Sequence, residues 1–210
     1  PPPTQTYYDD LQNKVGGGKP KMRFYFNGDG WPTSSVLPAT PTTDTAKEQL
    51  VDTLQAWKTT HYQTMVGSGD VDPRPGVLRL MDDAREAGLA VGVCSAGTKS
   101  SIVAVLGALL GEGRFKGLDV FLAGDDVPQK KPDPMIYNQA AIKLGLDPAS
   151  CVVVEDSAIG AAAAAGAGMR CVITYTRSTR DQAFASAERI VGSLIDETGR
   201  PTVTVAELAA

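Results

Sequence analysis

One histidine, His61, stands in the whole chain. The side chain most used for proton transfer near neutral pH and for binding transition metals is therefore almost absent, which excludes His-rich metal centres, and His61 reads as a helix-face residue that makes no catalytic case by itself. Cysteine is nearly as scarce: Cys94, Cys151 and Cys171. Each lies in an apolar run, where a free thiol behaves as a small hydrophobe. Their odd number and wide spacing exclude a disulfide framework or a thiolate zinc site, and a reducing compartment is expected. A basic excess is also missing, with 20 Lys and Arg against 24 Asp and Glu and a formal net charge of −4. No electrostatic footprint for nucleic acid follows from that balance. No apolar stretch approaches the ~20 residues of a membrane-spanning helix, and no signal peptide or Arg-rich transit segment is visible. Neither nucleic acid nor a membrane is expected as a partner.

What the chain has is a 42% hydrophobic composition over 210 residues, enough for one packed domain or a core with a small insert. Residues 5–72 read as helical and polar-rich. The clearest helix runs from Thr45 to Met65, with Leu50, Leu54, Trp57 and His61 at helical spacing. From Pro73 the pattern changes to alternating helices and strands, the mark of a parallel sheet. Strands are expected at 89–94, 120–123, 151–154 and 171–175, and helices at 77–87, 100–110, 134–144 and 159–169. A last helix is expected near 180–187, and an edge strand at 203–205. The fold class is thus α/β, a doubly wound parallel sheet over 73–210 preceded by a helical region over 5–72.

Three segments carry chemistry. Cys151-Val152-Val153-Val154 is a buried-strand run that meets Glu155-Asp156 at once, before a small-residue helix. In doubly wound folds, ligands bind beyond the carboxyl ends of the strands, where a carboxylate pair suits a hard cation such as Mg²⁺. Taken alone, Asp156 could equally cap the next helix. Ala90 to Cys94 is a second apolar run, ending at Ser95-Ala96-Gly97-Thr98. The Ser95 hydroxyl and nearby backbone N–H groups can donate to phosphoryl oxygens. Between them lies Lys130-Lys131-Pro132-Asp133-Pro134. Pro132 keeps Lys131 out of helical conformation, and its charge can offset that of a phosphate. Asp125 and Asp126 read as loop caps, Lys99 and Lys130 as surface residues, and Gly160 as a site of close helix packing.

The order strand–Ser95, Lys131-Pro132, strand–Glu155-Asp156 resembles the haloacid dehalogenase-type phosphatases, in which a hydroxyl and a lysine hold phosphate and an acidic pair holds Mg²⁺. A finer resemblance runs through Val15-Gly16-Gly17-Gly18-Lys19, Tyr25-Phe26-Asn27 with Gly30-Trp31-Pro32, Pro73-Arg74-Pro75-Gly76-Val77, Cys94-Ser95-Ala96 with Thr98-Lys99-Ser100-Ser101, and Cys171-Val172-Ile173-Thr174-Tyr175-Thr176. These segments look like the CbbY-type proteins of chloroplasts and photosynthetic bacteria. That resemblance implies a phosphatase core over 73–210 with a partial helical cap over 5–72, Mg²⁺ as cofactor, and a small-molecule sugar phosphate as partner. It implies hydrolysis of xylulose-1,5-bisphosphate by a monomeric protein of the chloroplast stroma. Ser95 and Lys131 would act in catalysis. Gly17, Gly18, Lys19 and Ala96 would contact substrate, Lys19 at a second phosphate. Glu155 and Asp156 would serve the metal, Asp156 directly and Glu155 through water or by orienting a ligand. Arg74 stays open between a substrate contact and a hinge.

The family also needs Asp-x-Asp-Gly after its first strand, the first Asp as nucleophile and the second as acid and base. No such motif occurs. Asn27-Gly28-Asp29-Gly30 is the near match, but an amide is no anionic nucleophile, and Gly30-Trp31-Pro32 reads as a loop closing a short helix. The first core strand and its carboxylate are therefore expected to precede Pro1, and the chain as given is expected to be inactive. A phosphosugar mutase of the β-phosphoglucomutase kind shares these features. If Pro1 is a natural start, a non-catalytic remnant or binding protein remains the alternative.

Overall fold

The computed structural model describes residues 4–15, 18–33, 39–69 and 71–209. The chain divides into two compact units, Pro1–Met65 and Val66–Ala210. The first is built from α1 (Gln5–Lys14), α2 (Gly18–Asp29) and α3 (Asp44–Gly67), the last reaching two residues into the second unit. Helix α1 starts where the Thr4 hydroxyl accepts from the Tyr7 N–H, satisfying an otherwise unpaired donor. Helices α2 and α3 are tied by ion pairs, Lys19 with Asp52 and Arg23 with Glu48. The long helix is present as its periodicity requires, yet of its four spaced residues only Leu50 is buried. Trp57 is 64% exposed and stacks on His61.

The second unit contains α4 (Val77–Glu86), β1 (Gly92–Cys94), α5 (Lys99–Lys116), β2 (Val120–Leu122), α6 (Met135–Leu144), β3 (Val152–Glu155), α7 (Ala158–Gly166), β4 (Arg170–Thr174), β5 (Arg189–Val191) and α8 (Val205–Ala209). All strand pairs are parallel. They form two sheets, β1-β2 and β3-β4-β5. Side chains alternate across the second sheet as the pleat demands. Val153, Cys171 and Ile173 face a core shared with α6 and α7, and Val172 faces a smaller one with Leu80, Leu194 and Val203. Helices thus cover both faces, the doubly wound arrangement. Glycines stop the helices where chain reversal needs positive φ: Gly88 (φ 75°) follows α4 and Gly145 (φ 66°) follows α6.

Three expectations are corrected. Residues 180–187 are not helical; turns such as Gln182 N–H to the Thr179 carbonyl replace a helical ladder, and Phe184 enters the core from one of them. Residues 203–205 are not a strand: Val203 is fully buried and Val205 begins α8, while the nearby bridge joins Ile195 and Pro201. The strand expected from Leu89 starts at Gly92. The Leu89 N–H instead closes the end of α4 onto the Ala84 carbonyl.

Candidate phosphate and cation site

Strands β1, β3 and β4 are largely apolar runs whose carboxyl ends each carry a polar residue, but only β4 is largely buried. At the end of β1, Ser95 donates its backbone N–H to the Leu122 carbonyl, staying in the ladder, while its hydroxyl oxygen accepts from Gly97 N–H at 3.2 Å. That leaves the hydroxyl proton free to be donated. The loop closes against β2's end, where Gly124 donates to the Gly97 carbonyl. A Cβ at Gly124 would overlap the Ala96 carbonyl oxygen. Gly124 thus packs closely on the Ala96 backbone, and the Ala96 side chain is exposed. Asp125 and Asp126 cap this region: Asp125 accepts from Lys99 N–H at 2.7 Å, and Asp126 accepts from Ala123 N–H and pairs with the Lys99 ammonium.

Lys131 lies on the loop before α6 and precedes Pro132 through a cis peptide bond. Its ammonium reaches the Cys94 carbonyl at 3.0 Å, the Tyr137 hydroxyl at 2.8 Å and Glu155 Oε1 at 2.5 Å. It thereby joins the residue before Ser95 to the residue before Asp156. Glu155 is only 11% exposed and fully engaged. Its Oε1 also accepts from Tyr137, and its Oε2 accepts from Asp156 N–H and the Ser157 hydroxyl. Burial pushes the Glu155 carboxyl upward, but the Lys131 charge and these hydrogen bonds outweigh it and hold it below the ordinary range. Burial likewise raises Tyr137, reinforced by the neighbouring carboxylate, so it remains a neutral phenol.

Asp156 differs. It is exposed at the end of β3, and its carboxyl is raised, first by the protein packed around it and then by the Glu155 charge, with Arg74 and Lys131 opposing. An anion next to an anion is the donor set that a divalent cation relieves. Among the described residues no group of three His, Cys, Asp or Glu could hold a metal. Asp156 therefore offers one protein oxygen, in keeping with Mg²⁺, which retains waters and is shared with substrate phosphate. Glu155 is committed to Lys131 and acts behind it.

Arg74 donates to the Thr174 carbonyl at 2.6 Å, the Thr174 hydroxyl at 3.1 Å and the Tyr175 carbonyl at 2.8 Å, so it ties down the end of β4. Thr174 is a buried polar residue, and this cation satisfies it. In the first unit, Lys19 is half-exposed and 2.7 Å from Asp52. A Cβ at Gly18 would overlap the Gln55 side chain, so glycine there lets α2 approach α3. Gly17 lies outside the described residues. Asn27 sits on α2, its amide oxygen accepting from the Trp31 indole at 3.1 Å, which is no strand-end position.

Sequence reasoning passed over Tyr137. Its signal was a lone hydroxyl on the apolar helix Met135–Leu144, six residues after Lys131. Gln182 was also missed; its side chain accepts from Ala158 N–H at the start of α7.

One further feature adjoins these residues. Among the described residues, one edge of β1 and one of β3 have no partner strand, and both strands line a cavity of about 610 Å³ that is flanked by residues of α4 and α8 and of α6. Gly92 and Val154, mid-run residues expected to be buried, are exposed there.

Comparison with known proteins gives the same family. Residues 9–168 match the model of the haloacid dehalogenase-like hydrolases. A haloacid dehalogenase-like hydrolase domain-containing protein of Arabidopsis thaliana is 58% identical over 181 residues, covering 86% of this chain and 57% of its own length. A CBBY-like protein of the same plant is 42% identical over 183 residues, with 87% and 56% covered. The chain thus spans little more than half the length of these relatives. Among solved structures, CbbY from Rhodobacter sphaeroides in complex with phosphate superposes with a TM-score of 0.75 at 28% identity, covering 99% of this chain and 84% of that one. A mutant of that protein in complex with xylulose-(1,5)bisphosphate gives 0.72 at 28% identity, with 94% and 83% covered. This chain belongs to the haloacid dehalogenase-like hydrolases and has CbbY-like relatives.

Proposed function

From that membership we propose that the chain is the larger part of a Mg²⁺-dependent phosphatase of sugar (bis)phosphates, with xylulose-1,5-bisphosphate as the first substrate to test. The observation that carries the reading is the reach of Lys131 from the carbonyl of Cys94, the residue before Ser95, to the carboxylate of Glu155, the residue before Asp156, which supports one site at the carboxyl ends of β1 and β3. The bisphosphate found with a 28% identical relative supports the substrate.

In this reading Ser95 donates its hydroxyl proton to a phosphoryl oxygen and Lys131 offsets the oxygen charge that develops during transfer. Mg²⁺ held by Asp156 and by substrate would further neutralise those oxygens. Arg74 fixes the end of β4. The attacking carboxylate is absent from these 210 residues. We assign it to an extended segment of the full-length polypeptide seated between the unpaired edges of β1 and β3. A strand placed there in parallel register would end beside Ser95, Lys131 and Asp156, and would cover Gly92 and Val154. Lys19 is the cation given to a second phosphate, for which it would exchange Asp52.

The test is phosphate release by the full-length protein from xylulose-1,5-bisphosphate and from the corresponding monophosphates, with isomer formation followed in the same reactions. Lys19→Ala is expected to lower kcat/KM for the bisphosphate roughly ten- to a hundredfold, the worth of a charge-assisted hydrogen bond, and to spare monophosphates. Isomer formation without net release would make the protein a mutase. No turnover of any phosphate ester would make it a binding protein. Equal losses on both substrate types would remove Lys19 from the site.

A further inference from the structure

The central cation of the site has no uncommitted proton. An ammonium carries three N–H donors, and Lys131 meets three acceptors: the Cys94 carbonyl, the Tyr137 hydroxyl and Glu155 Oε1. A phosphoryl oxygen can be met only if one of these is released. The three are unequal. The carboxylate contact is charge-assisted and the shortest at 2.5 Å. The Cys94 carbonyl is neutral, the longest at 3.0 Å, and lies next to Ser95. Tyr137 is tied in twice, accepting from Lys131 at 2.8 Å and donating to Glu155 Oε1 at 2.7 Å. Its ring also lies 4.5 Å from the ammonium, within cation–π range.

We propose that Tyr137 is a positioning residue for phosphate capture: with Glu155 it forms a fixed seat on which Lys131 turns, exchanging the Cys94 carbonyl for a phosphoryl oxygen. The proposal rests on the phosphatase reading. With the hydroxyl in place, Lys131 keeps two protein partners after the exchange. Without it, the Cys94 carbonyl becomes one of only two, and turning outward leaves the ammonium on a single carboxylate. Glu155 Oε1, deprived of its second donor, also holds Lys131 more firmly where it is. Both effects oppose phosphate binding, and both act through Lys131.

Isothermal titration of inorganic phosphate, with Mg²⁺ present, into the full-length protein and into its Tyr137→Phe, Lys131→Ala and double variants tests this. Tyr137→Phe is expected to raise Kd about threefold to tenfold, the worth of one hydrogen bond. The double variant is expected to bind no worse than Lys131→Ala alone, because Tyr137 has nothing left to act through. Additive losses, or unchanged affinity of Tyr137→Phe, would overturn the proposal. If Tyr137→Phe does not fold, ¹⁵N spectra of the wild-type chain decide: phosphate should shift the Lys131 ammonium while the Tyr137 hydroxyl proton stays protected from exchange, and loss of that protection would refute the seat. Full-length wild type with no affinity for phosphate defeats the phosphatase reading itself, whereas binding by wild type equalled by Tyr137→Phe defeats only the positioning role.

Discussion

Replacing Gly160 by alanine tests the carboxylate at the centre of the site more directly than changing the carboxylate. Gly160 is a buried residue in the first turn of α7, and it is not at positive φ. In an ordinary helix alanine there would be favourable by about 1 kcal/mol. Here a Cβ would overlap all three atoms of the Glu155 carboxyl group. That group cannot swing aside cheaply, because Lys131, Tyr137, Asp156 N–H and Ser157 all hold it. Overpacking a tight site costs about 1–3 kcal/mol. Separating a buried ion pair costs about 3–5 kcal/mol, because a charge is left without its partner. An overlap this deep with each carboxyl atom is not relieved by small shifts and forces the pair apart, so after the helix gain the expected net loss is about 2–4 kcal/mol. The control is Gly107→Ala in α5, where a Cβ meets nothing within 4 Å; it should be neutral or stabilise by up to about 1 kcal/mol. Urea unfolding of the two variants, compared at a shared slope, reads both values. A Gly160→Ala chain as stable as wild type would refute this placement of Glu155.

Two predictions concern titration. Burial pushes the Cys94 and Cys171 thiols up to about 11, so the stability they contribute is complete below the unfolded thiol value of about 8.5 and lost as pH rises through their folded values; the urea midpoint should fall between pH 8 and pH 10.5, and an unchanged midpoint contradicts the assignment. Asp156 is also raised, so at pH 7 its charge opposes folding: metal-free Asp156→Asn should be at least as stable as wild type, and Mg²⁺ should raise the melting temperature of wild type only, an equal rise in both removing Asp156 as the cation's ligand.

The elements most legible in the sequence are those decided locally. Val152 to Val154 forms a strand because four apolar residues run unbroken to a carboxylate, and α6 ends where Gly145 supplies a left-handed residue. What depends on distant partners was not legible. Strand β5 is three residues, two of them exposed, and exists because β4 offers it an edge. The expected helix at 180–187 gives way to turns because Phe184 and Gln182 are used elsewhere, in the core and at the start of α7. Gly160 reads from sequence as a packing glycine, but what it admits is a carboxylate five residues earlier in the chain. Tyr137 draws no reading from sequence, because nothing local shows that its hydroxyl ends between Lys131 and Glu155.

The charges of the site follow one logic. Lys131 and Glu155 cancel each other in a buried pair, each with only about a tenth or less of its side chain exposed. Arg74 spends its donors on the carbonyls that end β4. Asp156 is then the exposed carboxylate at the end of β3, and it is raised first by the protein packed around it and then by the Glu155 charge. A phosphoryl dianion approaching Ser95 therefore meets a carboxylate before it meets a free cation. In the proposed phosphatase reading, electrostatic complementarity is reached only when a divalent ion lies on Asp156 and Lys131 has turned from the Cys94 carbonyl. The first change reverses the sign of the outer edge and the second supplies a donor beneath it. The pairing of Lys131 with Glu155 and Tyr137 thus keeps a buried cation stable before any anion is bound, at the expense of making phosphate affinity depend on the metal.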